Sequence, residues 1–312
     1  MHRRDLLKLV ASVVTGVGAL AVASASAREV SAGKPAAKHL TGPFIETADG
    51  TSLFYSDWGS GRPVVFLAAW CLNSSAWDYQ TNFLTSKGIR CVAYDRRGHG
   101  RSSRPGSGYD FDTLADDLAR VMEKLDLREA TLVAHSMGAG EAVRYLTRHG
   151  ADRVRHLVLV APITPFLLKT TDNPEGIDKA IFERGRVALS KDFPKVLWDN
   201  WPPFFVPDTP HEMMAWAASL MLQCPLKIAL DCNRSFTETD FRPDLANIAR
   251  PTLIIQGTAD VSAPINITGR KTAKLTKGSQ LKVYEGAPHG LIFTHMDRLN
   301  ADLLEFIQSG RR

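Results

Sequence analysis

The sequence predicts an α/β fold: a mostly parallel eight-stranded sheet flanked by helices, with a helical cap insertion. Three observations carry this. Short apolar runs alternate with segments of helical periodicity along most of the chain. The alternation stops from Pro162 to about Phe241, where prolines and aromatics crowd together, and then resumes. With 312 residues, 44% hydrophobic and 23% charged, the chain has enough apolar material for one substantial core plus an insertion.

The elements follow in order. Phe44–Thr47 and Leu53–Ser56, separated by Asp49-Gly50, read as a leading hairpin. Val64 to Ala68 is a continuous apolar strand, and a helix follows from about Ala76 to Lys87. Ile89 to Tyr94 is the next strand and enters a glycine-rich loop, Asp95 to Ser103. From Phe111 to Leu125, the residues Leu114, Leu118, Val121 and Leu125 recur at helical spacing. Ala130 to Ala134 is a buried strand, followed by small residues and a helix beginning near Glu141. Val154 to Val160 is another strand.

In the insertion the expected helices are Ile177–Leu189, Phe193–Trp198, Glu212–Leu222 and Leu226–Ser235. Most of its aromatics (Trp198, Trp201, Phe204, Phe205, Trp216) pack the cap onto the core, and a few line a pocket at the carboxyl edge of the sheet. Beyond it come the strands Pro251–Gly257 and Gln280–Glu285 and a closing amphipathic helix, Leu291–Ile307. The core is thus assigned to 44–162 and 241–312, the cap to 163–240.

Residues 1–27 are set apart from the fold. Arg3-Arg4 precede an apolar, glycine-containing stretch, and Ala25-Ser26-Ala27 offers small residues for cleavage. This pattern resembles a twin-arginine export signal and predicts an exported, periplasmic or secreted protein, with no membrane association after cleavage. Residues 28–43 read as a flexible leader. The net charge is +5, and falls to +3 once 1–27 are removed. No basic stripe interleaved with aromatics is present, which argues against nucleic acid as a partner. Four cysteines, Cys71, Cys91, Cys224 and Cys232, match no metal spacing; Cys91 reads as a core residue, and a Cys224–Cys232 bridge is left open.

The candidate chemistry lies at strand ends. Ser136, in Ala134-His135-Ser136-Met137-Gly138, falls on a strand-to-helix turn of the G-x-S-x-G kind, with alanine at the first glycine position. Small neighbours are required because larger side chains would strike the adjoining strand or helix. Asp260 follows the strand Pro251–Gly257, and His289 follows Gln280–Glu285. A serine hydroxyl is a weak nucleophile until an imidazole takes its proton, and a carboxylate must hold that imidazole in the right tautomer. Serine, aspartate and histidine in this chain order, each past the end of a strand, supply all three groups. The other histidines have structural readings: His99 in its loop, His135 packing near the turn, and His149, His156, His211 and His295 without ligand spacing. Arg96 and Arg97 are expected to tie loops together.

With those residues in view, the chain resembles the α/β-hydrolase superfamily over about residues 44–310, and within it the cofactor-free (non-haem) haloperoxidase and aryl-esterase group. The matches are Asp95-Arg96-Arg97-Gly98-His99-Gly100-Arg101-Ser102-Ser103, His135-Ser136-Met137-Gly138, and the segment Trp70 to Gln80. The resemblance implies a serine hydrolase acting on small esters through Ser136, His289 and Asp260, with the backbone N–H groups of Trp70 and Met137 as oxyanion donors. It implies no metal and no organic cofactor; the expected partner is a small-molecule ester or acid. Perhydrolase and haloperoxidase activity on the same residues is the alternative, and a non-catalytic binding protein on this scaffold is the rival from another class. One departure is Ala68-Ala69, where the family usually shows His-Gly; a glycine there tolerates a backbone angle that alanine resists, so strain is expected at that step. Cys71 stands where the group typically has proline.

Overall fold

The structure is a computed structural model that describes residues 42–309. The expected export segment, and the leader up to residue 41, lie outside the described residues. A hairpin opens the described chain, with β1 (Phe44–Glu46) antiparallel to β2 (Ser52–Trp58) and Phe44 opposite Phe54. Its turn closes on side chains: Thr51 N–H donates to Thr47 Oγ1 at 3.0 Å and to Asp49 Oδ1 at 3.1 Å. Next come β3 (Pro63–Leu67), a 3₁₀ turn (Ser74–Trp77), α1 (Asp78–Ser86), β4 (Arg90–Tyr94) and α2 (Phe111–Lys124). They are followed by β5 (Ala130–His135), α3 (Met137–His149) and β6 (Val154–Val160).

The eight strands, which include β7 (Thr252–Gly257) and β8 (Gln280–Tyr284), lie in the order β1-β2-β4-β3-β5-β6-β7-β8. All pairs from β4 to β8 are parallel, and β2 is antiparallel to both its neighbours. Every residue of β3 and β5 is buried, as a strand covered by helices on both faces requires, and this is why both are predominantly apolar. β8 closes one edge with polar residues instead, Lys282 being held by Asp302 at 2.7 Å. The chain winds outward in opposite directions from β3 and β5, so a crevice opens past their carboxyl ends.

Helix α2 shows how the local code works. Asp110 caps it, accepting from Thr113 N–H at 2.9 Å, and Leu114, Leu118 and Val121 are completely buried on its inner face. The sequence overlooked one helix of the core, α10 (Gly269–Leu275), and read the closing segment as continuous where α11 (Leu291–Thr294) and α12 (Met296–Gln308) break at His295.

Between β6 and β7 lie α4 (Lys179–Lys191), α5 (Phe193–Asp199), α6 (Trp201–Phe204), α7 (His211–Met221), α8 (Leu226–Glu238) and α9 (Arg242–Ala246). Sequence reading anticipated four of these; α6 and α9 are additional. Several prolines in and just after this stretch start helices rather than ending them. Pro194, Pro202 and Pro243 occupy the first turns of α5, α6 and α9, and Pro210 and Pro225 precede α7 and α8. A proline there forfeits no hydrogen bond, because first-turn N–H groups have no helical acceptor.

Candidate active site

Ser136 joins β5 to α3 with φ 54° and ψ −113°, a combination that L-residues rarely adopt. The turn is tight on both sides. A Cβ on Gly138 would lie 2.7 Å from the Leu67 carbonyl oxygen, and one on Gly140 would lie 2.5 Å from the Phe241 ring. Ala134, at the first glycine position of the pattern, is fully buried opposite Leu67 without difficulty.

The structure brings Ser136, His289 and Asp260 together. Asp260 Oδ1 accepts from Ala263 N–H at 2.8 Å, and Oδ2 accepts from Gln256 Nε2 at 2.7 Å and from His289 Nδ1 at 2.7 Å. An ionised carboxylate only accepts, so the His289 proton resides on Nδ1 and the lone pair on Nε2. That nitrogen lies 2.8 Å from Ser136 Oγ. All three side chains are buried, and Ser136 and His289 line a pocket.

Several residues hold this arrangement that the sequence did not single out for it. His135 Nε2 donates to the His289 carbonyl at 3.0 Å, and the two rings lie 5.2 Å apart. Burial, aided by the neighbouring His289, draws the His135 pKa down to about 3, so this ring is a neutral strut. From the cap, Phe204 accepts the Gly290 N–H at 3.0 Å and sets its ring 5.7 Å from that of His289. Gln256 carried a visible signal: it is a polar residue in an otherwise apolar strand, and it is completely buried.

The two residues read as oxyanion donors also border this point. Met137 is the first residue of α3, where N–H groups lack helical acceptors, and Trp70 lines the same pocket as Ser136 and His289. The Trp70 indole donates to the Ala229 carbonyl at 2.8 Å, tying the loop after β3 to α8. Arg96 braces the loop from below. It donates to the Ala68 carbonyl at 2.8 Å and pairs with Glu141 at 2.8 Å, with both side chains buried. The strain expected at Ala68-Ala69 is absent. The left-handed angle falls instead on Cys71, at φ 61°, a value closed to the proline that the family pattern carries there.

Arg97 ties loops as expected, bonding Asp117 at 2.6 Å and Asp49 at 2.8 Å. The remaining histidines stay apart from the site: His149 bonds Asp116 at 2.7 Å, and His156 packs 5.1 Å from Phe306. His211 stacks edge-on with Trp198, and His295 bonds Thr294. Among the described residues no group of three or more His, Cys, Asp or Glu side chains could hold a metal ion. All four cysteines are free thiols, so Cys224 and Cys232 are not bridged.

A cavity of about 270 Å³ rises from Ser136 and His289 into the cap. Its walls are mostly apolar and aromatic, among them Trp70, Phe182, Trp201, Phe204 and Phe236, with Asn200, Asn233, Thr237 and Ser262 as polar exceptions; no Lys, Arg, Asp or Glu lines it.

Sheet order, strained serine turn and crevice define an α/β-hydrolase, and the model of the alpha/beta hydrolase fold matches residues 62–197. The chain belongs to that family, in the group that holds the non-heme haloperoxidases and related esterases. It is 40% identical to the non-heme chloroperoxidase CPO-A1 of Kitasatospora aureofaciens, over 85% of this chain and 99% of that one. It is 37% identical to the bifunctional esterase/perhydrolase DCH of Acinetobacter calcoaceticus, over 85% and 99% respectively. Among solved structures, an esterase from Exiguobacterium antarcticum superposes with a TM-score of 0.83 at 30% identity, covering 86% of this chain and all of that one.

Proposed function

We propose that the protein is a serine hydrolase that cleaves small carboxylic esters through an acyl-enzyme. The single observation that carries this is the buried relay from Asp260 to His289 Nδ1 at 2.7 Å and from His289 Nε2 to Ser136 Oγ at 2.8 Å. In the first step Ser136 Oγ attacks the ester carbonyl while Nε2 accepts its proton. Asp260 stabilises the imidazolium, and the N–H groups of Trp70 and Met137 receive the developing oxyanion. Nε2 then protonates the leaving alcohol, water enters, and the same nitrogen takes a proton from it to release the acid.

The test is direct. Ser136→Ala is expected to lower turnover of a chromogenic short-chain ester by at least ~10³-fold with an unchanged circular dichroism spectrum. The parent should take up one fluorophosphonate per chain, at Ser136. A non-catalytic binding protein would take up none, and labelling elsewhere, or an active Ser136→Ala, refutes the assignment.

The relatives favour a second use of the same site. With hydrogen peroxide in place of water, the acyl-enzyme releases a peracid, which oxidises halide; the names of the chloroperoxidase and esterase/perhydrolase relatives point this way. Bromination of a chromogenic acceptor that requires acetate, peroxide and an intact Ser136 is the expected result. Arg3-Arg4 and the segment after them support export, so changing both arginines to lysine should leave the protein in the cytoplasm.

A further inference from the structure

Two thiols that the proposed chemistry leaves unused meet beside the oxyanion loop. Cys71 directly follows Trp70, and Cys224 lies between α7 and α8 in the cap. Flanking residues hold the two segments together: Asn73 Nδ2 donates to Gln223 Oε1 at 3.1 Å, and the Trp70 indole bonds Ala229 at 2.8 Å. Both thiols are buried, and each is close enough to act on the other's ionisation.

A base stands next to them. His99 Nδ1 faces the Arg97 carbonyl at 3.0 Å, and since a carbonyl only accepts, this nitrogen carries the proton. Nε2 is therefore the basic nitrogen. It is buried and has no hydrogen-bond partner, and the ring adjoins Cys224, whose Sγ otherwise faces the Pro225 carbonyl at 3.8 Å. The neighbouring Cys71 thiol, with His99 and the Arg96 guanidinium close by, holds the Cys224 thiol well below its ordinary range, while burial pushes Cys71 up. The pair is thus asymmetric, with one thiolate-forming sulfur and one protonated partner. Cys232, fully buried on α8, adjoins the same cluster, but burial pushes its thiol up; for Cys91, on β4, burial is again the largest cause and neither thiol acts on it.

We infer that Cys71 and Cys224 are a redox-active dithiol, which hydrogen peroxide converts into a disulfide joining the oxyanion loop to the cap. Cys224 thiolate attacks one peroxide oxygen; the O–O bond breaks, and the departing hydroxide takes the proton held on His99 to leave as water. Cys71 sulfur then attacks the Cys224 sulfenic acid. The S–S bond forms, the S–O bond breaks, and hydroxide leaves with the Cys71 proton as a second water. Two thiols lose two electrons in all and one peroxide gains them. Trp70, Leu72 and Met221 line the cavity floor beside the two cysteines, which gives a molecule as small as peroxide its approach.

The bond also acts on catalysis, a consequence that rests on the proposed role of Trp70. A disulfide requires an S–S distance near 2.05 Å, much shorter than the contact of two free thiols, so its formation drags Cys71 toward the cap and takes the adjacent Trp70 N–H out of line.

The experiment uses the full chain treated with a small excess of hydrogen peroxide. The intact mass should fall by two hydrogens, peptide mapping should show Cys71 joined to Cys224, and dithiothreitol should reverse both. Cys71→Ser should stop at a Cys224 sulfenic acid trapped by dimedone, Cys224→Ser should form neither product, and Cys232→Ser should still form the bond. Ser136→Ala, without turnover, should also form it, which separates the dithiol from the hydrolase assignment. Retention of all four thiols, or a bond that uses Cys232, overturns the inference. Ester kcat in the oxidised parent should fall at least tenfold and return on reduction; an oxidised enzyme with undiminished kcat overturns the link to the oxyanion loop.

Discussion

At the scale of single residues, the site depends on which atom carries each proton. Asp260 accepts three hydrogen bonds, and the one from His289 Nδ1 determines that Nε2 faces Ser136. Asp260→Asn removes the charge and admits the wrong tautomer; kcat for the ester should fall by roughly 10⁴-fold while the fold survives, as stopped-flow and circular dichroism would establish. His135 supplies a pH signature. Its pKa falls from an ordinary 6.5 to about 3 in the folded chain, so between those values the unfolded chain binds a proton that the folded one refuses. Stability therefore declines as pH drops through that window and is unaffected by this group above it. His135→Asn, which keeps an N–H donor for the His289 carbonyl, should flatten the decline by up to about 1.4 kcal/mol per pH unit in urea melts.

At the scale of elements, glycines decide where strands may approach loops. Gly257 ends β7, and a Cβ there would lie 1.9 Å from the carbonyl oxygen of Ala287, two residues before His289. Gly257→Ala must push that loop away. A loss of about 2 kcal/mol in denaturant melts, together with a lower kcat at nearly unchanged KM, is the expected outcome. Elements were legible where their pattern ran long enough to repeat. The inner face of α2 repeats every three or four residues over 14 residues, β3 is an unbroken apolar run, and β5 is predominantly apolar. The helices that escaped notice are α6, α9 and α10, of 4, 5 and 7 residues. Two turns or fewer cannot display a period of 3.6 residues, and these helices are held by packing rather than by propensity.

At the scale of the whole molecule, the cap encloses Ser136 in an apolar cavity. The cavity it closes over Ser136 and His289 has no ionisable wall residue apart from His289 itself. A carboxylate buried there would lose its hydration and find no cation. An ester whose acyl chain ends in a carboxylate should therefore show kcat/KM at least ~100-fold below its neutral isostere, and the gap should close when Phe204 or Phe182 is changed to arginine.

The sequence alone determined the succession of strands along the chain, the small-residue turn at Ser136, and the order of Ser136, Asp260 and His289 past strand ends. These are local patterns, read from periodicity and from the residues flanking each position. Tertiary structure decided what supports them: the Arg96–Glu141 pair against the loop after β3, His135 under the His289 carbonyl, Phe204 over Gly290, and the meeting of Cys71 with Cys224. Each of these joins segments far apart in the chain, and the energy of such a contact exists only once packing has excluded water from around it.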